Sequence, residues 1–324
     1  MSESSRNSPQ LEVADETLTP MMRQYAEIKA KHPDCLLFYR MGDFFELFFE
    51  DAVTASRELG ITLTKRGRIK GQDVPMCGVP AHAYEAHLAK LIQRGYRIAV
   101  CDQTETPEEA KKRGAKGPLA RDITRIVTSG TLTEDRLLPT GNNYIAALSL
   151  PSPNKTQVAL AVADISTGFF GLEEHSLKEL DNALARWHPT EIVLSDTLFD
   201  QPELTPLWES WKETLTLLPK ARFSVENAEH VLNSVYNTTT LDIFGVLTPL
   251  EIQAAGILVD YVMATQCTKT LSLSPPRLLQ SSEFMMIDAS TRRNLDLTAT
   301  ASSHQRSTLS NDNKHHSHIF CKRE

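Results

Sequence analysis

The sequence predicts an α/β protein of two domains, and three observations carry that prediction. Apolar runs of strand length alternate with helical periodicities between residues 20 and 130. Residues 135–143, with Pro139, Gly141 and paired Asn, break the pattern as a linker does. Beyond them three strand-like runs precede a helix and a fourth strand, an order compatible with a ribonuclease-H-like fold. A chain of 324 residues is long enough for two such domains and part of a third.

Each element follows from local chemistry. Thr19-Pro20 opens a helix over 21–31, because Thr caps free N–H groups and Pro suits the first turn. His32-Pro33-Asp34 stops it. Residues 35–40 are an apolar run of strand length, and Gly42-Asp43 turns the chain. Phe45, Leu47, Phe48, Ala52 and Ala55 recur at three- and four-residue spacings, so an amphipathic helix is expected from Phe45 to near Gly60. Residues 61–65 and 74–79 read as strands. Residues 83–94 form a helix with Leu88, Leu91 and Ile92 inward, ended by Gly95. Strands are expected at 96–101 and 123–129, with a charged helix or loop over 105–117. After the linker, 144–150, 158–165 and 167–172 read as strands, 177–187 as a helix and 191–194 as a strand. Helices follow at 225–236 and 249–267, the second opened by Thr248-Pro249. Residues 1–18 are polar and acidic and are expected to be disordered. The pattern collapses after Leu297, and 299–324 are expected to be a disordered tail.

Composition narrows the function classes. The chain is 41% hydrophobic and 23% charged, as soluble globular proteins are. No apolar stretch reaches the ~18 residues of a membrane helix. Five scattered cysteines without a C-x-x-C pair read as reduced thiols of a cytosolic protein. The net charge is −7, yet residues 61–135 carry an excess of basic side chains. A nucleic-acid surface, if present, is expected there, the alternative being a solvated basic face.

The run Phe38-Tyr39-Arg40-Met41-Gly42-Asp43-Phe44-Phe45-Glu46-Leu47-Phe48 is the most informative block. Phe44 and Glu46 set an aromatic ring and an acid two positions apart beyond a turn. Such a pair is able to wedge a ring between base steps and offer a carboxylate to a base edge; the bland alternative is a buried Phe at a strand-to-helix corner. Further blocks follow in order: Thr19-Pro20-Met21-Met22-Arg23-Gln24-Tyr25, Leu63-Thr64-Lys65-Arg66-Gly67, Pro75-Met76-Cys77-Gly78-Val79-Pro80, Arg125-Ile126-Val127-Thr128-Ser129-Gly130-Thr131 and Asp288-Ala289-Ser290-Thr291-Arg292-Arg293-Asn294-Leu295. Together, over residues 17–298, the chain resembles the MutS family of mismatch-repair proteins.

That resemblance implies a mixed-sheet mismatch-recognition domain over 19–135, a ribonuclease-H-like connector domain over 136–268, and the start of an α-helical core domain over 269–298. It implies that Phe44 stacks on a mispaired base and Glu46 hydrogen-bonds to it. An ionised carboxylate among phosphates is repelled, so Glu46 is expected to bind DNA in its protonated form. Lys65 and Arg66 are expected on the DNA backbone, where cations position without reading sequence; a charged turn is the alternative. His82 and Arg121 are further candidates for the backbone. The implied partners are double-stranded DNA with mismatches or small loops, a MutL-type repair partner at the connector, and a second copy of the family's homodimer. The implied location is the bacterial cytoplasm, at the nucleoid.

Two other features carry residue types suited to metal chemistry. Asp164, in mid-strand of the connector, has the position of a two-metal nuclease carboxylate, but Glu173 and Glu174 lie beyond the next strand and turn, so catalysis is not expected. His315, His316, His318 and Cys321 have ligand-like side chains in an unscaffolded tail and are expected to bind no metal. The family's ATP and Mg belong to a G-x-x-x-x-G-K-[ST] loop; no glycine here precedes a lysine, so no cofactor, no ATPase and a truncated form are expected. A connector fragment that docks proteins with negligible DNA binding is the rival function.

Overall fold

Two six-stranded sheets organise the protein. The computed structural model describes residues 18–69, 71–114, 117–133, 142–150, 156–267, 271–279 and Thr291. The first unit runs α1 (Pro20–Lys31), β1 (Cys35–Met41), β2 (Phe44–Phe48), α2 (Phe49–Leu59), β3 (Thr64–Ile69), β4 (Gln72–Pro80), α3 (Tyr84–Ile92), β5 (Arg97–Gln103), α4 (Pro107–Lys112) and β6 (Arg121–Val127). Its sheet has the order β3-β4-β2-β1-β5-β6, with β1 and β5 parallel and the other neighbours antiparallel.

Both faces of this sheet are used. Phe38, Phe45, Leu47, Cys77 and Val79 bury themselves under α2 and α3 together with Leu88 and Leu91. Leu37, Tyr39, Phe48, Val74 and Ala99 face the other way, under Met22, Tyr25 and Ile28 of α1. Thr19 caps α1 by accepting from the Met22 N–H, as its Thr-Pro start predicts. Asp51 ties the layers: it accepts from the Leu37 N–H, the Tyr25 hydroxyl and Lys29 Nζ at 3.0, 3.4 and 2.9 Å. Burial pushes its carboxyl up, and Lys29 opposes that shift.

The second unit runs β7 (Tyr144–Ser149), β8 (Gln157–Asp164), β9 (Phe169–Ser176), α5 (Leu180–Trp187), β10 (Glu191–Ser195), α6 (Asp196–Phe199), α7 (Thr205–Trp211), β11 (Leu215–Leu218), α8 (Val225–Tyr236), α9 (Pro249–Gln266) and β12 (Arg277–Leu278). The sheet order is β11-β10-β7-β8-β9-β12. β7, β8 and β9 form an antiparallel meander, and β10 and β11 add in parallel on the far side of β7. That is the expected ribonuclease-H-like order. α8 and α9 cover one face; α5, α6 and α7 cover the other.

The structure corrects several expectations. Residues 44–48 are a strand, not the first turns of a helix; α2 starts at Phe49 and ends on Gly60 at φ +69°. Helical spacing of Phe45, Phe48, Ala52 and Ala55 misled, because Phe45 and Leu47 also satisfy the strand period of two and share the face under α2, with Phe48 on the other face. The strand expected at 61–65 begins at Thr64. The charged stretch over 105–117 contains a short helix opened by a Thr106/Glu109 capping box. Strand β11 and helices α6 and α7 were not anticipated. Of the segment expected to open a third domain, residues 271–279 run along the second sheet, where β12 pairs with β9; the rest, Thr291 excepted, lies outside the described residues, as do 1–17 and the tail.

A buried carboxylate stands at the junction of the two units. Glu191, at the start of β10, is 2% exposed. Its Oε2 accepts from Thr128 Oγ1 at 2.5 Å and the Gly130 N–H at 3.0 Å, both just past β6. Its Oε1 accepts from Thr216 Oγ1 at 2.7 Å and Tyr261 Oη at 2.6 Å. Burial pushes the Tyr261 phenol far up, so it stays a donor. A Cβ at Gly130 would lie 2.8 Å from Glu191 Cβ and 2.9 Å from Ile145 Cβ, so this approach requires glycine. Gln266 Nε2 donates to Thr131 O at 3.2 Å, and Asn143 Nδ2 to Ser129 O at 3.0 Å.

Removing the carboxylate takes the acceptor from four donors, three of them buried, each unmade buried bond costing about 1–3 kcal/mol. Glu191→Ala is therefore expected to lower the unfolding free energy by at least ~3 kcal/mol in a urea titration, and Glu191→Gln, which keeps an acceptor, by less. A loss of only ~0.5 kcal/mol, the scale of a surface change, would mean that other contacts hold the units together.

Candidate nucleic-acid interface

Strand parity creates the site. Gly42, at φ +58°, lets a two-residue turn join β1 to β2, with Met41 opposite Phe44 and Tyr39 opposite Glu46. Successive side chains on a strand point to opposite faces. Phe45 and Leu47 enter the core under α2, at 2% and 0% exposure. Phe44, Glu46 and Phe48 must therefore share the α1 face. α1 covers Phe48, which stacks edge-on against Tyr25 at 5.1 Å. It leaves Phe44 uncovered, 47% exposed, one of six exposed large apolar side chains among the described residues.

The neighbours of Phe44 are small or polar. Its partner on β4 is Pro80, and the Ala81 N–H donates to Asp43 O at 2.8 Å. His82 follows, exposed in a short 3-10 turn beside the ring's strand end. Glu46 faces Gly78 across the β2–β4 pair, so no β4 side chain stands directly opposite it. Its charge is met from the next strand outward: Arg66 Nη1 on β3 pairs with Glu46 Oε2.

The basic edge strand sorts its cations. β3 is exposed from Thr64 to Arg68 and carries a bulge between Lys65 and Arg68, with Gly67 at φ +74°. A bulge re-aims side chains. Lys65 Nζ and Arg68 Nε both bond Asp73, at 2.8 and 2.7 Å, whereas Arg66 turns to Glu46. The bond to Lys65, then that to Arg68, holds the Asp73 carboxyl below its ordinary range. Three cations thus face two carboxylates, and the local positive excess is smaller than the basic run suggests. Lys70 lies outside the described residues.

Arg121 is placed otherwise than a backbone contact requires. Its Nε donates to Arg40 O at 2.8 Å and its Nη1 to Leu119 O at 3.0 Å, and its guanidinium lies 5.0 Å over the Tyr39 ring. With its donors spent on the protein, it braces the end of β1 that leads into the Phe44 turn. Asp73 and Gly78 were missed in the sequence. The β3–β4 hairpin was the signal for Asp73, since it brings the acid back beside Lys65.

In the second domain the carboxylates Asp164 and Glu173 bond the protein itself. Asp164 Oδ1 accepts from the Ser166 N–H and Ser166 Oγ at 2.9 and 2.6 Å, so it caps the β8–β9 turn. Glu173 pairs in register with Leu160, four rungs from Asp164, and bonds His175 Nε2 at 2.6 Å and Arg186. No group of three acidic, His or Cys side chains that could hold a metal occurs among the described residues. The ligand-like tail 315–321 lies outside them. No helix among the described residues is long and apolar enough to cross a membrane. Cys35, Cys77 and Cys101 are free, buried thiols, pushed up by burial to about 11, 11 and 12.

Comparison with known proteins adds the family context. Residues 19–136 match the family model of MutS domain I, and residues 143–275 that of MutS domain II. The chain is 47% identical over 311 residues to the DNA mismatch repair protein MutS of Rhizobium meliloti (strain 1021), covering 93% of this chain and 34% of that protein. It is 50% identical over 288 residues to the protein of the same name from Ruegeria sp. (strain TM1040), covering 88% and 32%. The Ruegeria pomeroyi protein is 47% identical over 295 residues, covering 90% and 33%. The chain thus spans about a third of the length of the curated relatives it matches.

Adjacent rings of β2 separate a presented aromatic from a packed one. Phe45→Ala is expected to cost ~3–5 kcal/mol in urea unfolding, as buried rings do. Phe44→Ala is expected to cost ~0.5 kcal/mol or less, as surface changes do. Equal costs would make Phe44 a core residue.

Proposed function

The chain belongs to the MutS family of mismatch-repair proteins, and on that premise we propose that its first domain binds mismatched double-stranded DNA through Phe44. The carrying observation is the uncovered Phe44 ring, with Glu46 on the same strand face, Arg66 paired to Glu46, and His82 just past the end of β4. A mispaired step stacks and pairs poorly, so opening it costs less than opening a sound one. An apolar side chain driven between base steps kinks the duplex by roughly 20–90°. The energy of that deformation depends on the step being deformed, so weakness rather than base sequence is read. Glu46 contacts the displaced base. Lys65, Arg66 and His82 lie on phosphates and fix the register, which makes binding salt-dependent. Arg121 acts behind them, through β1.

The second domain, in this reading, is a connector that relays the recognition domain's placement and docks a repair partner of the MutL type. Ile243 and Val246, 66% and 94% exposed, are apolar surface of the kind such docking uses. A homodimer, a cytoplasmic location at the nucleoid, and ATP hydrolysis in further domains of the family's full-length members belong to the same proposal. None of the chain's 14 glycines precedes a lysine, so its own residues do not form the phosphate loop that ATP needs.

Fluorescence anisotropy with a G·T duplex and its matched counterpart tests the reading. The mismatched duplex is expected to bind more tightly, and Phe44→Ala to erase roughly tenfold or more of that preference, stacking of one base on an aromatic ring being worth about 1–3 kcal/mol. Lys65→Ala is expected to weaken both duplexes alike and reduce the salt slope by about 1. Undiminished preference in Phe44→Ala would reject the wedge; no binding to either duplex would favour a purely protein-docking role.

A further inference from the structure

Resting on the wedge reading, we propose that Arg66 sets the mismatch preference through Glu46, by neutralising the carboxylate that the DNA would otherwise repel. A carboxylate two positions from an inserting ring enters the field of two phosphate strands, and its charge must be cancelled. Protonation is one way. The geometry points to another, because Arg66 Nη1 already holds Glu46 Oε2 in the free protein. Glu46 makes no other hydrogen bond among the described residues, so Oε1 remains free to accept. The pair enters DNA as a neutral unit whose remaining oxygen only accepts. Its chemical partner is therefore a base edge with an N–H: the ring N–H of an unpaired thymine or guanine, or an exocyclic amine.

The local architecture supports this division of labour. The β3 bulge sends Lys65 and Arg68 to Asp73 and Arg66 alone to Glu46. Glycine opposite Glu46 on β4 puts no side chain directly beside the acid. Arg66 and Glu46 belong to neither apolar core cluster of the first unit, and their side chains keep 41% and 14% of their surfaces exposed. A cation that only touched phosphate would act on all duplexes alike; one that neutralises Glu46 acts on the ratio between them.

A double-mutant cycle distinguishes these roles. Affinities for G·T and matched duplexes are measured for the parent, Arg66→Gln, Glu46→Gln, the double variant and Phe44→Ala. They are measured in the chain itself and in a form extended by the C-terminal two-thirds of the Rhizobium meliloti relative. Arg66→Gln is expected to cut the preference for G·T on the order of tenfold, by leaving an unpaired charge against phosphates. In the Glu46→Gln background, where no charge needs cancelling, the same change is expected to weaken both duplexes and leave the preference within about twofold. Equal weakening of both duplexes by Arg66→Gln in both backgrounds overturns the assignment while leaving the wedge standing. An undiminished preference in Phe44→Ala overturns the wedge and this assignment with it.

Discussion

The arrangement depends on the alternation of five residues in β2. That strand is held on both sides, by β1 and by β4, so its register cannot slip without moving Phe45 and Leu47 out of the core. Burying those two under α2 dictates that Phe44 and Glu46 face the other way. On that other side α1 is short, 12 residues, and its apolar contacts reach Phe48 but leave Phe44 uncovered. The uncovered ring is thus a consequence of parity and helix placement, not of a mobile loop. The proposed wedge needs such a rigid mount, because a loop would yield before the duplex does.

The mount is continuous with the second domain. From Phe44 the sheet passes through β1 and β5 to β6, whose end delivers Thr128 and Gly130 to Glu191. The acid is sealed from water and bonded by donors of both units, so the units share one hydrogen-bonded seam in addition to apolar contact. Arg97, at the start of β5, extends the seam: it pairs with Asp34 at 2.7 Å and reaches the Tyr261 hydroxyl at 3.4 Å. A tilt imposed at β2 has a hydrogen-bonded route into β10 and α9, which is the physical content of the proposed relay.

Much of this was legible in the residues. Thr-Pro starts marked α1 and α9, and the 225–236 periodicity matched α8 end for end. The run of three strands, helix and strand pointed to the second sheet, whose central strands are almost wholly apolar. The block from Phe44 to Phe48 stands out by its residue types, yet its secondary structure was misread, since Phe45, Phe48, Ala52 and Ala55 fit a helical period while Phe45 and Leu47 fit a strand's period of two. Only the pairing with β4, distant by 34 residues at Phe45 and Val79, resolves that ambiguity. A separation of 20 residues hid Arg66, the partner of Glu46, and no local pattern hinted that Arg121 would spend its charge inside. Glu191 looked like the polar start of a strand; its role arises from where β6 ends, which no short window of sequence contains.

Energy transfer between dyes at the two ends of a short duplex reads the postulated kink most directly. With a central G·T step, binding is expected to bring the ends together, and with a matched step at saturating protein to leave them apart. Phe44→Ala is expected to bind the G·T duplex without closing it. Equal closure by the parent and by Phe44→Ala, or closure of the matched duplex to the same distance, would contradict the claim that this ring detects errors by levering a weak step open.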